Sequence, residues 1–394
     1  MYRKFKADNL FTGTEMLGSS KVLITTQDGE IDAIINEEHA GDDIEYYKGI
    51  ISPGFINAHC HLELSHLKGK IQEKTGLVDF VCSVVNTRHI AEEQILDAIE
   101  KAENEMLLNG IVAVGDICNN LLSLPQKLKK KLAYYNFIEA SGWVPTVSQQ
   151  RFERSLQILN EYSHQLKVVN QQSLIPHAPY SVTNELWRLI IPYFRNKIVS
   201  IHNQETLFED EFFQHGTGDF VRMYEMMKLD NSHHQPTKKS SLQTSYSNLI
   251  PADKIILVHN TFTKQSDIDF IKQEQENFEK TYFCLCINAN KYIEDRLPPV
   301  ELFLKNDCNI VLGTDSLASN SSLNLLDEMK TIQKIVPDIT LEVMLQWATI
   351  NGAKVLEMEK KLGSFEKGKK PGLVLLENVE GLQLSADSSI KRII

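Results

Sequence analysis

Two histidines, His59 and His61, stand one residue apart in the stretch Ser52–Leu64, SPGFINAHCHLEL. In an extended strand, residues i and i+2 point to one face, so this pair presents two imidazoles side by side where the strand ends. Neutral imidazole is a borderline-soft nitrogen ligand that suits zinc, iron or nickel. A chain with 12 histidines can also place two that close by chance. The same pattern recurs, however. His177 (PHAPYS), His202 with Glu205 (IHNQE), His259 (VHN) and Asp315 (LGTDS) each stand at the end of a short apolar run.

Eight such runs read as strands: Ile50–Ala58, Ile111–Ile117, Ala133–Ile138, Ser173–His177, Ile198–His202, Lys254–His259, Tyr282–Ile287 and Asn309–Thr314. Amphipathic segments separate them, the sign of βα units around a parallel sheet. In Ala91–Leu108 the residues Ile95, Ile99, Ala102 and Met106 recur at helical spacing, and Asn109-Gly110 stops the run. Leu323–Ile335 and Leu341–Met358 are further helices. Eight strands with helical connections suggest a (β/α)8 barrel, with a doubly wound open sheet as the alternative. A barrel carries its active site at the C-terminal mouths of its strands. Five of the eight strands deliver a histidine or an aspartate there, so the metal reading and the barrel reading support each other.

The two ends of the chain differ from this rhythm. Lys21–Thr26 and Ile31–Ile35 flank the turn Gln27–Glu30 as a hairpin, and Leu373–Leu376 is a short apolar strand. The expected organisation is a small β-sandwich domain built from residues 1–53 and 359–394 around a (β/α)8 barrel, residues 54–358. The polar, Ser-rich stretch Asp230–Asn248 reads as a mobile loop, with His233 and His234 as solvated residues on it. Gly363–Lys369 nearly spells a phosphate loop, but Lys370 offers no hydroxyl and Pro371-Gly372 cannot open a helix.

At 394 residues the chain fits one large barrel with an appendage. No apolar run approaches the roughly 18 residues of a membrane span, and no apolar segment of a signal peptide follows the basic N-terminus. A net charge of −11 argues against a nucleic-acid partner. The six cysteines include no Cys-x-x-Cys and read as reduced thiols in a cytoplasmic protein.

The motifs Pro53-Gly-Phe-Ile-Asn57-x-His59-x-His61, His202-x-x-Glu205, Val258-His259-Asn260 and Gly313-Thr-Asp315-Ser316 together resemble the amidohydrolase superfamily across nearly the whole chain. His177-Ala-Pro-Tyr180-Ser is similar to the chlorohydrolase and aminohydrolase branch, which includes adenosylhomocysteine/methylthioadenosine, guanine and aminodeoxyfutalosine deaminases. His61-Leu-Glu63-Leu-Ser65, with Asp79-Phe80 and Arg88 downstream, looks most like the aminodeoxyfutalosine deaminase group.

The resemblance implies one metal held by His59, His61, His202 and Asp315, zinc by default and iron as the alternative. It also implies a deaminase, a hydrolase acting on non-peptide carbon–nitrogen bonds in cyclic amidines. Such a metal lowers the pKa of a water towards ~7. Asp315 then takes the proton, His259 orients the attacking oxygen or polarises the developing oxyanion, and Glu205 protonates a ring nitrogen of the substrate. His177, Arg88, Glu63 and Asn290 are the expected substrate contacts. The chain departs from the branch at Cys286-Ile-Asn288-Ala-Asn290, where Cys-Pro-x-Ser-Asn is usual. It departs again at Val85–His89, where sugar-binding relatives place a glutamate. Arg88 has no lone pair for a hydroxyl and prefers an acidic group. An amino-substituted purine or nucleoside of the aminodeoxyfutalosine type is therefore the favoured small-molecule substrate. The alternatives are a hydrolase of another non-peptide C–N or C–Cl bond and an inactive barrel serving as a binding protein. No membrane partner is expected, and a homodimer is left open.

Overall fold

Both ends of the chain meet in one sheet. The structure, a computed structural model, describes residues 2–167 and 171–394. Strands β1 (Tyr2–Leu10), β2 (Lys21–Thr26), β3 (Ile31–Asn36) and β4 (Ile44–Pro53) precede the barrel strands. These are β5 (Phe55–Cys60), β6 (Ile111–Cys118), β7 (Ala133–Ala140), β8 (Gln172–Pro176), β9 (Ile198–Asn203), β10 (Lys254–His259), β11 (Thr281–Leu285) and β12 (Asn309–Leu312). Strands β13 (Leu373–Glu377) and β14 (Ser389–Arg392) follow them. The terminal strands align in the order β14-β13-β4-β1-β2-β3. The hairpin β2–β3 and the antiparallel pairing of β13 on β4, Leu376 opposite Ile50, agree with the sequence reading. This unit is one six-stranded sheet where a sandwich was expected. It closes over Phe5, Leu10, Leu23, Ile51, Phe365 and Leu375.

The sequence reading of one strand over Ile50–Ala58 is corrected. That run is split between two sheets, because β4 ends at Pro53 and β5 begins at Phe55. Proline has no N–H to continue a ladder. At Gly54 the chain passes so close to its neighbours that a Cβ would stand 2.3 Å from Val112 Cγ1 and 2.8 Å from the Pro371 carbonyl oxygen.

Strands β5 to β8 form one parallel four-stranded sheet and β9 to β12 a second, each in chain order. Parallel strands covered on both faces need apolar side chains at nearly every position; every residue of β5 and β9 is buried. The two sheets join at their C-terminal mouths. There His202 N–H donates to the His177 carbonyl (3.0 Å), and the amides of Thr314 and Asp315 donate to the His59 carbonyl (3.1 and 3.2 Å). These bonds complete a ring of eight strands, so the architecture is α/β, a (β/α)8 barrel with an added β-unit from both termini.

The helix Glu92–Leu108 buries Ile95, Ile99, Ala102 and Met106 and stops at Asn109 and Gly110, whose φ is +75°. The helix expected over Leu323–Ile335 starts at Leu325, where Asn324 Oδ1 caps the Leu326 amide. The segment expected as one helix over Leu341–Met358 contains a wide π turn at Trp347–Asn351. The turn sits where Asn351 Nδ2 donates to the Ile310 carbonyl at 2.9 Å and Gly352 packs against Ile56. Within Asp230–Asn248, residues from Ser241 form a helix that runs to Leu249, capped by Ser240. His233 and His234 are half-buried rather than solvated. The His234 ring stacks on Phe212 at 4.0 Å, and both histidines lie against Trp143. Aromatic burial outweighs the polarity of the surrounding sequence.

At Gly313 a Cβ would lie 2.9 Å from Cys284 Sγ, Cys286 Sγ and His59 Cβ. Gly313→Ala is expected to overpack this point and lower stability by about 1–3 kcal/mol, measured by urea unfolding. An unchanged midpoint would show that the packing there is loose.

Candidate active site

The mouths of the strands deliver their side chains into one cluster. His59 lies on β5, with His61 just past its end. His202 lies on β9, His259 ends β10, His177 follows β8 and Asp315 follows β12. The His59 ring centroid stands 5.0 Å from His61, 5.1 Å from His202 and 5.9 Å from His259. His177 is 4.9 Å from His202. Asp315 Oδ1 lies 3.4 Å from His61 Nε2 and 3.6 Å from His59 Nε2.

Burial sets the protonation of this cluster. It lowers the pKa of His59, His202 and His259, takes His61 to about 3 and His177 to about 4, and so leaves neutral rings with free lone pairs. Burial pushes the Asp315 carboxyl the other way, but the neighbouring His59, His61 and His259 outweigh it and hold the group ionised. Both His59 nitrogens and His202 Nε2 are buried with no hydrogen-bond partner. Unpaired buried polar atoms are costly, and several converging on one point fit a cation. Ligand atoms of His59, His61 and His202 lie within 4.8 Å of one another, as do those of His59, His259 and Asp315. A divalent metal fits this donor set.

The backbone is bent to make the cluster. Gln204, His259, Asn260 and Asp315 all have positive φ, at 46°, 75°, 57° and 55°. Such non-glycine conformations cost on the order of 1–3 kcal/mol each and are held by their surroundings. Asn57 clamps the Asp315 turn by donating to Thr314 Oγ1 (2.7 Å) and accepting from the Thr314 amide (3.2 Å). Ser319 Oγ donates to Asp315 Oδ2.

Glu205 lies beside the metal-ligand candidates. Its Oε1 is 3.6 Å from His259 Nε2, and its amide and that of Gln204 are held by the Glu209 carboxylate at 3.1 and 3.0 Å. Burial, reinforced by the charge of Asp315, holds the Glu205 carboxyl well above the usual range. Asn290, expected to touch substrate, does not line the cavity. It sits behind His259, whose Nδ1 is 2.7 Å from Asn290 Oδ1 and whose carbonyl accepts from Asn290 Nδ2.

A cavity of about 600 Å³ opens above the cluster. Its floor is His61, His177, His202, Glu205, His259 and Asp315. Glu63 and Arg88 line one side, where the sequence reading places them. His177 faces the cavity, its Nδ1 held by Ser181 Oγ at 2.7 Å. The sequence reading missed Glu139, Arg151, Trp143 and an apolar wall that includes Met223, Met226 and Met227. Glu139 was within reach of the strand-end rule, since β7 runs to Ala140 where the expected strand stops at Ile138. Its Oε2 is buried without a partner, 3.9 Å from His202 Nε2. The methionines gave no such signal, because they come from a helix between strands, Asp219–Met226, and its end.

Such a barrel, with its histidine and carboxylate cluster at the strand mouths, defines a class of metal-dependent hydrolases. The description of the Amidohydrolase family matches residues 50–390, and the chain belongs to that family; it is a hydrolase. An adenosine deaminase of Helicobacter pylori is 27% identical over 335 residues, 83% of this chain and 79% of that protein. The crystal structure of Helicobacter pylori aminofutalosine deaminase with methylthio-coformycin superposes with a TM-score of 0.77 at 22% identity, covering 100% of both chains. That of a Xanthomonas campestris adenosine deaminase with bound zinc gives 0.69 at 19% identity, covering 95% of this chain and 84% of the other.

Burial raises the Glu63 carboxyl to about 7 against the opposing charge of Arg88. A carboxyl raised on folding contributes stability that is complete below its unfolded pKa and is lost as pH rises through its folded one. Glu63→Gln removes that loss. The Tm of the variant minus that of wild type is expected to grow between pH 5 and pH 8, by the equivalent of at most about 3 kcal/mol. A difference independent of pH would show that Glu63 is ionised throughout this range.

Proposed function

We propose that this chain is a divalent-metal-dependent aminohydrolase that replaces the exocyclic amine of a purine-like base in a nucleoside with oxygen and releases ammonia. The carrying observation is Glu205, its carboxyl raised by burial, placed 3.6 Å from His259 and beside an Asp315 whose Oδ1 lies 3.6 and 3.4 Å from the Nε2 atoms of His59 and His61. The names of the Helicobacter and Xanthomonas proteins support the same reaction class.

His59, His61, His202 and Asp315 would hold the metal, zinc by default and iron as the alternative. When bound, it supplies a positive charge and an acidified water. The protein's own groups do the rest. Asp315, ionised, accepts a proton from the attacking water. Glu205, neutral, donates its proton to the ring nitrogen next to the amine-bearing carbon, which makes that carbon electrophilic. His259, fixed by Asn290 from behind, steers the attacking oxygen and stabilises the charge that develops on it. The proton taken by Asp315 passes to the departing amine, which leaves as ammonia as the C–N bond breaks, and the hydroxyl proton left on the carbon returns to Glu205, giving the carbonyl product and restoring both carboxyls. His177, neutral and anchored by Ser181, contacts the base.

The cavity also bears on which nucleoside. The cavity wall carries Arg88, whose forked guanidinium matches a carboxylate. The wall of Met223, Met226 and Met227 takes an apolar arm. A nucleoside with an apolar, carboxylated substituent, of the aminodeoxyfutalosine type, satisfies both.

Glu205→Gln is expected to keep bound metal and thermal stability and to lose ~10²–10⁴-fold in kcat, followed by ammonia release. Wild-type turnover in this variant would remove Glu205 from the chemistry. Arg88→Met is expected to cost a carboxylated aminonucleoside about 1.5–3 kcal/mol in kcat/KM and to spare adenosine. Equal effects on both substrates would remove Arg88 from substrate recognition.

A further inference from the structure

Behind the His59–His61 pair lies a buried charge that this chemistry does not use. Lys127 closes the short helix Leu124–Lys127 and turns inward against β6. Its side chain is 1% exposed and that of Asp116 is 0% exposed, with Nζ 2.5 Å from Asp116 Oδ2. Nζ also donates to Asn136 Oδ1 at 2.8 Å and contacts Cys118 Sγ at 3.1 Å. The rings of Tyr134 and Tyr162 flank it, each centroid 5.0 Å away. Burial opposes the ammonium, yet the Asp116 charge raises its pKa well above the ordinary value. Every donor of this cation is occupied.

A buried ion pair is a poor source of stability, because well-packed apolar residues of similar volume often serve as well or better. What the pair adds is position. The second oxygen, Asp116 Oδ1, accepts the amide of Leu62 at 2.9 Å. Leu62 follows His61 directly and starts the turn Leu62–Leu67, and Asp116 is paired with Cys60 in the sheet. One carboxylate is thus locked on one side by a buried cation and holds on the other the peptide that carries His61.

We infer that Asp116 and Lys127 are positioning residues for the metal site, the Lys127-anchored carboxylate fixing the Leu62 amide and through it the direction of the His61 imidazole. This rests on the reading of His61 as a metal ligand. Outer partners that orient metal ligands typically change metal affinity 10–100-fold when removed.

The test is zinc affinity, by competition with a chromophoric chelator, and Tm of the metal-free and zinc-loaded full chain. The variants are Asp116→Leu combined with Lys127→Met, Asp116→Asn alone, and His61→Ala as reference. The double variant is expected to unfold within a few degrees of wild type when metal-free and to bind zinc ~10–100-fold more weakly. Its zinc-induced rise in Tm shrinks accordingly. Wild-type zinc affinity in the double variant, with affinity lost in His61→Ala, overturns the inference and leaves His61 as a ligand. Wild-type affinity in His61→Ala overturns the ligand reading itself. Where the double variant does not fold, Asp116→Asn decides, since it replaces one of the two accepting oxygens by an NH2 group that faces Lys127 or Leu62 as a donor. Weakening of at least ~3-fold supports the inference, and an unchanged affinity overturns it.

Discussion

Burial of the imidazoles and carboxyls at the strand mouths is the constraint on which the rest of the structure depends. Burial keeps the imidazoles of His59, His61, His177, His202 and His259 uncharged. It also raises the Glu205 carboxyl well above the usual range, while Asp315 is held below it. One low-dielectric space therefore shifts these acids and bases apart without moving any of them. The closed packing around it, with Gly313 too tight for a methyl group, maintains that space.

The order also has a mechanical side. The positive φ angles of Gln204, His259, Asn260 and Asp315 turn the chain sharply where β9, β10 and β12 end. Each bend is held by a partner from another strand or helix: Glu209 for Gln204, the Asn290 amide for the His259 carbonyl, the Asn203 carbonyl for Asn260, the His59 carbonyl for Asp315. Strain at these points is sustained by contacts that the sheet has already made.

Much of this was legible in the sequence. Period-two spacing placed His59 and His61 on one face, and the repetition of a polar residue after each apolar run located His177, His202, His259 and Asp315. The strand pattern gave the barrel, and Leu373–Leu376 gave the return of the C-terminus to the N-terminal sheet. What failed did so for identifiable reasons. Ile50–Ala58 is continuous in hydrophobicity, and only the crowding at Gly54 reveals the change of sheet. Glu139 was lost to an end-of-strand error of two residues, Ile138 for Ala140. Asn290 was placed in the cavity because proximity in sequence to a strand end says nothing about which side of His259 it occupies. His233 and His234 looked solvated because their aromatic partners, Trp143 and Phe212, are remote in the chain.

The seam between the two four-stranded sheets has a wider consequence. His59 and His61 belong to one sheet, His202 and Asp315 to the other, and the clamp from Asn57 to Thr314 spans 257 residues of chain. Contacts this distant are among the last a folding chain can close, since the closure entropy must be met before they stabilise anything. A divalent ion held by these candidates would therefore also cross-link the two halves of the barrel, which one apolar core already joins.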